Sequence, residues 1–284
     1  DQSHNQAWAL DLDVAARMNL ANPADASYQQ FAQSLEGVGF EVVAHNAGLI
    51  DDSVLAGIDV LVVPHASTSD WEKTIGNGSP VLAPEELSAI EKFVSLGGSL
   101  LLLGETEQPK YGNNFGELSQ KFGVTIGNAT VQDSANCFKD VATWILPTFD
   151  RHVESDFSYR LENVCFYRAG VLEVAPEVSA EIILRSSESA SPASAAVGVA
   201  VKHKAGRVVV LADSDLFGDD SINDCDNRQF ALNIMGWLGN ARAVADSSKA
   251  RKSSWAEQDP NWLKLQAAIE AFRPMQGKDG SVDA

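Results

Sequence analysis

The sequence is poor in the residues that build covalent staples, membrane spans and nucleic-acid interfaces. Only three cysteines occur in 284 residues, Cys137, Cys165 and Cys225. They are too few and too scattered for a disulfide framework or a Cys-x-x-Cys zinc or redox motif. A chain of this length buries enough apolar surface without such staples, and this cysteine usage fits a reducing compartment, so a cytoplasmic location is expected. No run of about 18 apolar residues is present, which argues against a transmembrane helix within the chain. The opening Asp1-Gln-Ser-His4 has neither the basic flank nor the apolar stretch of a signal peptide. Basic residues are also scarce: 21 Lys and Arg stand against 39 Asp and Glu, a formal charge of -18. Proteins that bind DNA or RNA gain most of their affinity by neutralising phosphates, so nucleic acid is not an expected ligand.

Signature motifs are missing as well. Gly-x-Ser-x-Gly, the phosphate-binding Gly-x-x-x-x-Gly-Lys-Ser/Thr and a strand-linked Gly-x-Gly-x-x-Gly are all absent, which lowers the case for serine hydrolases, nucleoside triphosphatases and dinucleotide enzymes. The run Asp219-Asp220-Ser-Ile-Asn-Asp224-Cys-Asp226 has the acidity of a calcium loop but lacks the glycine and terminal glutamate of an EF-hand. Cys225 lies between two carboxylates that disfavour its thiolate, so it does not read as a nucleophile.

What is present is an alternation of helical and apolar extended segments. Asp25 to Gly37 carries Tyr28, Phe31, Ala32 and Leu35 at helical spacing and feeds the apolar run Phe40 to Ala44. Asp51 to Gly57 is a short helix leading into Asp59-Val-Leu-Val-Val63. After a loop rich in Ser, Gly, Pro and Asn, Pro84-Glu-Glu opens a helix with Leu87, Ile90 and Val94 inward, and Ser99-Leu-Leu-Leu-Leu103 follows as a strand apolar on both faces. Residues 122–202 change to short strands with turn signals, a β-rich insertion or extension of the sheet. Gly206-Arg-Val-Val-Val-Leu-Ala212 and a helix over Arg228 to Leu238 then restore the earlier rhythm. The expected fold is α/β and flavodoxin-like, with a mostly parallel sheet flanked by helices. The expected domain spans residues 1–240. Residues 241–284 form a polar linker and an amphipathic C-terminal helix whose stripe, Trp262, Leu265, Ile269 and Phe272, is suited to pack on its own domain or to dock on a partner.

Open α/β sheets bind ligands beyond the carboxyl ends of their strands. The residues there are His65, Ser67, Thr68 and Asp70 after one strand, Glu105, Thr106 and Glu107 after the next, and Asp213, Asp215, Asp219 and Asp220 after a third, with Asp1 and His4 joining if a strand lies just upstream. Short acids at strand ends commonly cap turns. They also suit a hard divalent cation, for which Asp213, Asp215 and Asp219 are the candidate ligands. The candidate ligand-binding set is His4, His65, Glu105, Asp213 and Asp215. His45, His152 and His203 have no spacing that argues for a site.

Several segments together resemble the class I glutamine amidotransferase-like superfamily, in particular the uncharacterised amidotransferase-like domain of gliding-motility ABC transporter auxiliary proteins and of an intraflagellar-transport subunit. They are Asp1-Gln-Ser-His4, Asp59 to His65, Leu87 to Glu105 with its Gly97-Gly98, and Gly206 to Phe217 leading to Asp226 to Asn233. The resemblance implies an elbow after Leu103 where active members carry Gly-x-Cys-x-Gly. This chain reads Gly104-Glu-Thr-Glu-Gln108 there, has Ala212-Asp-Ser-Asp215 in place of His-x-Glu, and has Pro64-His65-Ala66 in place of a Pro-Gly-Gly oxyanion loop. Glutaminase activity is therefore not expected. The family also has an apolar strand before Asp-x-x-His; either the present chain is a trimmed form, or Trp8 to Leu12, with alternating Trp8, Leu10 and Leu12, takes that position.

Two functions follow as expectations. The first is a non-catalytic domain that binds a small molecule or a protein partner. The alternative is a cysteine-independent hydrolase in which Glu105 or Asp213 acts as general base, with a divalent metal to activate water.

Overall fold

The computed structural model describes residues 1–150 and 155–239. The C-terminal stripe from Trp262 to Phe272 and His152 lie outside the described residues.

The helices are α1 (Leu12–Met18), α2 (Gln29–Gly37), α3 (Asp52–Leu55), α4 (Pro84–Ser95), α5 (Phe115–Gln120), α6 (Ser155–Ser158) and α7 (Asn227–Gly239). The strands are β1 (Val60–Val63), β2 (Ser99–Leu103), β3 (Val124–Ile126), β4 (Trp144–Ile145), β5 (Thr148–Phe149), β6 (Phe166–Tyr167), β7 (Leu172–Val174), β8 (Ala180–Arg185), β9 (Ala196–His203) and β10 (Gly206–Leu211). One mixed sheet runs β1-β2-β10-β9-β7-β3, with β8 also paired to β9 and β5 to β8. β1, β2 and β10 are parallel neighbours; β9, β8, β7, β5 and β3 extend this core antiparallel, while β4 and β6 pair as a separate two-stranded sheet.

The apolar runs explain the layering. β2 is buried at every position, because its residues alternate between two cores. Leu100 and Leu102, with Leu61, Val63, Val208 and Val210, pack under α4 and α5 through Ile90, Phe93, Val94, Phe115 and Leu118. Leu101 and Leu103, with Val209 and Leu211, pack on the other face against Phe31, Leu35, Phe230, Ile234 and Trp237 of α2 and α7. Each fully buried side chain of this size contributes roughly 1.5–3 kcal/mol, so helices on both faces are what holds the sheet. At the start of α4 the Glu86 carboxylate accepts the Ala83 amide at 2.7 Å, closing the free N-terminal turn beneath Pro84.

The strand expected at Phe40 to Ala44, and the one given as an alternative at Trp8 to Leu12, do not form. Trp8 to Leu12 makes a single bridge, Ala9 to Ser27, and Asp11 then caps α1 by accepting the Asp13 and Val14 amides. Phe40 to Ala44 enters no ladder. Instead the Asp1 nitrogen donates to the Val62 carbonyl at 2.7 Å and the next amide, Gln2, donates to the His45 carbonyl at 2.8 Å. Residues 1 and 2 thus stand between β1 and residues 40–45. No helix among the described residues is long and apolar enough to cross a membrane.

Candidate functional site: a carboxylate cluster at the strand ends

The register of β2 and β10 positions the site. Leu103 pairs with Leu211, and the Gly104 amide continues the ladder to the Leu211 carbonyl at 2.9 Å. Two residues on, Glu105 and Asp213 leave neighbouring strands at the same level and on the same face, the face of Leu101, Leu103, Val209 and Leu211. Asp215 follows from the 3-10 turn Asp215–Phe217. Carboxylate oxygens of Glu105, Asp213 and Asp215 all lie within 4.8 Å of one another.

Ser214 sits at the centre of the arrangement. Its amide and hydroxyl both donate to Glu105 Oε1, at 3.0 and 2.5 Å. Its Oγ accepts the Trp8 indole N–H at 2.9 Å, and its carbonyl accepts the Tyr28 hydroxyl. Trp8 and Tyr28 stack at 4.6 Å between ring centroids, so the N-terminal loop and the start of α2 form one wall. Asp213, fully buried, accepts the Tyr167 amide on Oδ2 at 2.6 Å and the Asp215 amide on Oδ1 at 2.8 Å. The elbow itself is clamped by Gly170, whose amide donates to the Ala212 carbonyl at 2.7 Å. A Cβ there would stand 3.1 Å from Thr106 Cα and 3.3 Å from the Glu105 carbonyl oxygen.

Among the described residues no lysine or arginine makes an ion pair with Glu105, Asp213 or Asp215. Burial, and then the charge of Asp213, hold Glu105 well above the usual carboxylate range. Burial pushes Asp213 up to about 7 against the opposing hydrogen bonds from Tyr167, Asp215 and Leu216. Asp215, partly open to solvent, is raised by burial and then by the Glu105 and Asp213 charges. The chemistry available is that of a proton-sharing carboxyl cluster that a cation would relieve.

Of the sequence-derived candidates, these three acids come together and the others go elsewhere. His4 is buried between two carboxylates, with Nδ1 3.0 Å from Asp1 Oδ2 and Nε2 3.0 Å from Glu86 Oε1. Glu86 also accepts the Ile50 and Ala83 amides, so His4 ties the N-terminal loop to α4. His65 falls on the opposite face of the sheet, with Val63, because it leaves β1 one register step out of phase with Glu105. It is 1% exposed, packed edge-on to Tyr111 at 4.4 Å. Its Nε2 is 3.0 Å from Glu72 Oε2 without hydrogen-bond alignment. Asp219, expected as a metal ligand, instead accepts the Gln30 amide at 2.7 Å and anchors the start of α2. Trp8, Tyr28 and Ser214 were not expected at the site. Ser214 lies between two charged candidates in Asp213-Ser-Asp215 and has no sequence signal of its own, while the two aromatics carry none beyond apolarity.

The cysteines are remote from nucleophile chemistry. Burial pushes the Cys165 thiol up, and burial together with Asp224 and Asp226 pushes up Cys225.

No protein-family model and no curated protein matches this sequence. Solved structures match its fold. The N-terminal domain of mmIFT52 superposes with a TM-score of 0.62 at 15% identity, covering 74% of this chain and 89% of that one. The cytoplasmic protein STM3548 from Salmonella typhimurium gives 0.52 at 14% identity over 73% of this chain and 85% of that one. STM1381 from Salmonella typhimurium LT2 gives 0.51 at 13% over 76% and 86%. At such identities the likeness is one of fold. It agrees with the fold expected from the intraflagellar-transport resemblance.

Proposed function

We propose that the chain is a non-catalytic ligand-binding or interaction domain of amidotransferase-like fold, whose recognition point is the carboxylate cluster of Glu105, Asp213 and Asp215. The observation that carries this reading is the convergence of three carboxylates with, among the described residues, no basic side chain paired to them. Buried carboxylates are costly to ionise without a partner, so a cationic group arriving from outside, a divalent metal or an organic ammonium, has a large differential interaction to gain. The elbow contributes Glu105 and Thr106 where the resembled amidotransferases hold a cysteine, and glutaminase chemistry has no nucleophile here.

The hydrolase alternative draws on Asp213, which is poised near neutrality. Against it, both Asp213 oxygens accept backbone amides and the residue is fully buried, which holds the carboxylate as a fixed part of the strand end rather than as a base turned toward solvent. The binding reading is preferred.

The test is a thermal-shift series with Mg²⁺, Ca²⁺, Mn²⁺, Zn²⁺ and small alkylammonium ions. A ligand at about 100 times its dissociation constant adds roughly 2.7 kcal/mol of stability. A shift that disappears in the Glu105→Gln, Asp215→Asn double variant supports the cluster as the recognition point. Equal shifts in both proteins, or none with any cation, remove it.

A further inference from the structure

His65 is fixed through the backbone of its segment. Its carbonyl accepts the Ala7 amide at 3.0 Å, and the next carbonyl, that of Ala66, accepts the Asn113 side-chain amide at 2.6 Å. The ring is 1% exposed and lies edge-on to Tyr111 at 4.4 Å and to Phe115 at 6.5 Å. Neither ring nitrogen has a hydrogen-bond partner among the described residues. Buried polar groups are nearly always satisfied, and one that is not points to a role beyond packing, a bound ion among them.

One polar atom does face the ring. The amides of Trp71 and Glu72 donate to the Thr68 carbonyl at 3.2 and 3.4 Å, a turn that folds Glu72 back over His65. Glu72 Oε2 then lies 3.0 Å from His65 Nε2, yet no ring N–H is aligned on it, and this oxygen is also without a hydrogen bond. An imidazolium paired with Glu72 would direct a proton along that line and would leave a second N–H, on Nδ1, buried with no acceptor. Two ligands that each stand about 2.1 Å from one metal ion, at an angle between a right angle and the tetrahedral one, are about 3.0–3.4 Å apart. The spacing of His65 and Glu72 matches that of adjacent ligands.

We propose that His65 Nε2 and Glu72 Oε2 are the protein ligands of a first-row transition metal ion of the Zn²⁺ type, at a site separate from Glu105, Asp213 and Asp215. An imidazole nitrogen beside a carboxylate favours zinc and its neighbours, whereas Mg²⁺ and Ca²⁺ are held by oxygen. Glu72, with 31% of its side chain exposed, gives the ion its way in, and water completes the coordination. The charge of Glu72 is also felt at Glu105 and Asp215, so the pair and the cluster share one negative field that draws cations toward both. The inference does not require the cluster itself to bind a cation.

The experiment titrates Zn²⁺ into the full chain, following the imidazole nitrogens by long-range proton–nitrogen NMR and the affinity by calorimetry. The His65 ring is assigned through its proximity to Tyr111. The expected result is a shift of the His65 ring nitrogens that saturates at one equivalent, and affinity weakened by about tenfold or more in Glu72→Gln. Glu72 lies on a surface turn, so this variant leaves the core intact. The His65 response should persist in the Glu105→Gln, Asp215→Asn double variant. His65 nitrogens indifferent to Zn²⁺, wild-type affinity in Glu72→Gln, or a His65 response lost with the double variant would overturn the proposal. Mg²⁺ and Ca²⁺ in the thermal-shift series probe the cluster on their own, so failure of one site is read apart from failure of the other.

Discussion

Glu105 and Asp213 stand side by side at the ends of adjacent parallel strands, two residues beyond the paired Leu103 and Leu211, and the charge of Asp213 adds to burial in raising the Glu105 carboxyl. The consequence is a stability that depends on pH in an unusual direction. Their folded-state pKa values are raised, so between the unfolded and folded values the native protein holds protons that the unfolded chain has released. Stability is then highest on the acid side and falls as pH rises. For Asp213, moving from 3.8 to about 7, the loss across that window reaches about 4 kcal/mol at 1.4 kcal/mol per unit. Urea denaturation from pH 4.5 to 8 should show this decline, and Glu105→Gln, which keeps an acceptor for Ser214, should flatten it. An unaltered slope in the variant would show that the pair is not coupled.

Glu86, also buried, serves as an anchor. Glu86 accepts the Ile50 and Ala83 amides at 2.7 Å each and lies 3.0 Å from His4. Glu86→Ala leaves these donors buried and unpaired, each worth about 1–3 kcal/mol, and should destabilise the protein by about 2–4 kcal/mol in chemical denaturation. Glu86→Gln retains one acceptor oxygen and should lose less. A loss below 1 kcal/mol in the alanine variant would mean the network is solvated.

Gly170 offers a test of how the elbow is held. A methyl at this position meets backbone atoms of Thr106 and Glu105 at 3.1–3.3 Å, and backbone cannot step aside as a flexible side chain would. Gly170→Ala should cost about 1–3 kcal/mol and weaken any cation-dependent thermal shift by displacing Glu105. A variant of wild-type stability would show that the loop carrying Gly170 moves freely over the elbow.

The layered fold was legible because fully apolar runs such as Ser99 to Leu103 and Gly206 to Leu211 have no other way to be buried, and Pro84 with Glu86 announces α4. The alternative of a strand at Trp8 to Leu12 fails because alternation over five residues is a weak signal beside the cap that Asp11 places on α1. The candidate site was legible at Glu105, Asp213 and Asp215, since strand ends gather there. His65 was grouped with them in error of phase: a one-residue difference in register reverses the face of a strand, and spacing within a single strand does not reveal its register against its neighbour. The roles of His4 and Asp219 depend on Glu86 and Gln30, partners 82 and 189 positions away in the chain, beyond the reach of any local pattern.

Thiol chemistry gives a further check. With burial and neighbouring acids holding Cys165 and Cys225 protonated at neutral pH, iodoacetamide should modify Cys225 slowly, despite its exposure, and Cys165 only on unfolding. Incubation with glutamine should release no ammonia above a protein-free control. Ammonia release abolished by Cys225→Ala would reverse the assignment of a non-catalytic domain.

Protons and cations compete for the same oxygens in the carboxylate cluster, which makes cation affinity a function of pH with a defined sign. At pH 5.5 Asp213, raised to about 7, is protonated in larger part, burial shifts Glu105 and Asp215 in the same direction, and a cation must displace the protons held there to bind. At pH 8 fewer remain, so affinity should rise across this interval, by up to about tenfold for each proton displaced per unit of pH. Isothermal titration calorimetry in buffers of different ionisation enthalpy, at each pH, counts the protons released. A release of one or more protons on binding near pH 6.5, diminished in Asp215→Asn, is the expected result. Binding without proton release, or affinity indifferent to pH, would place the cation on the exposed acids outside the cluster, such as Asp220, rather than among the three that converge beside Ser214.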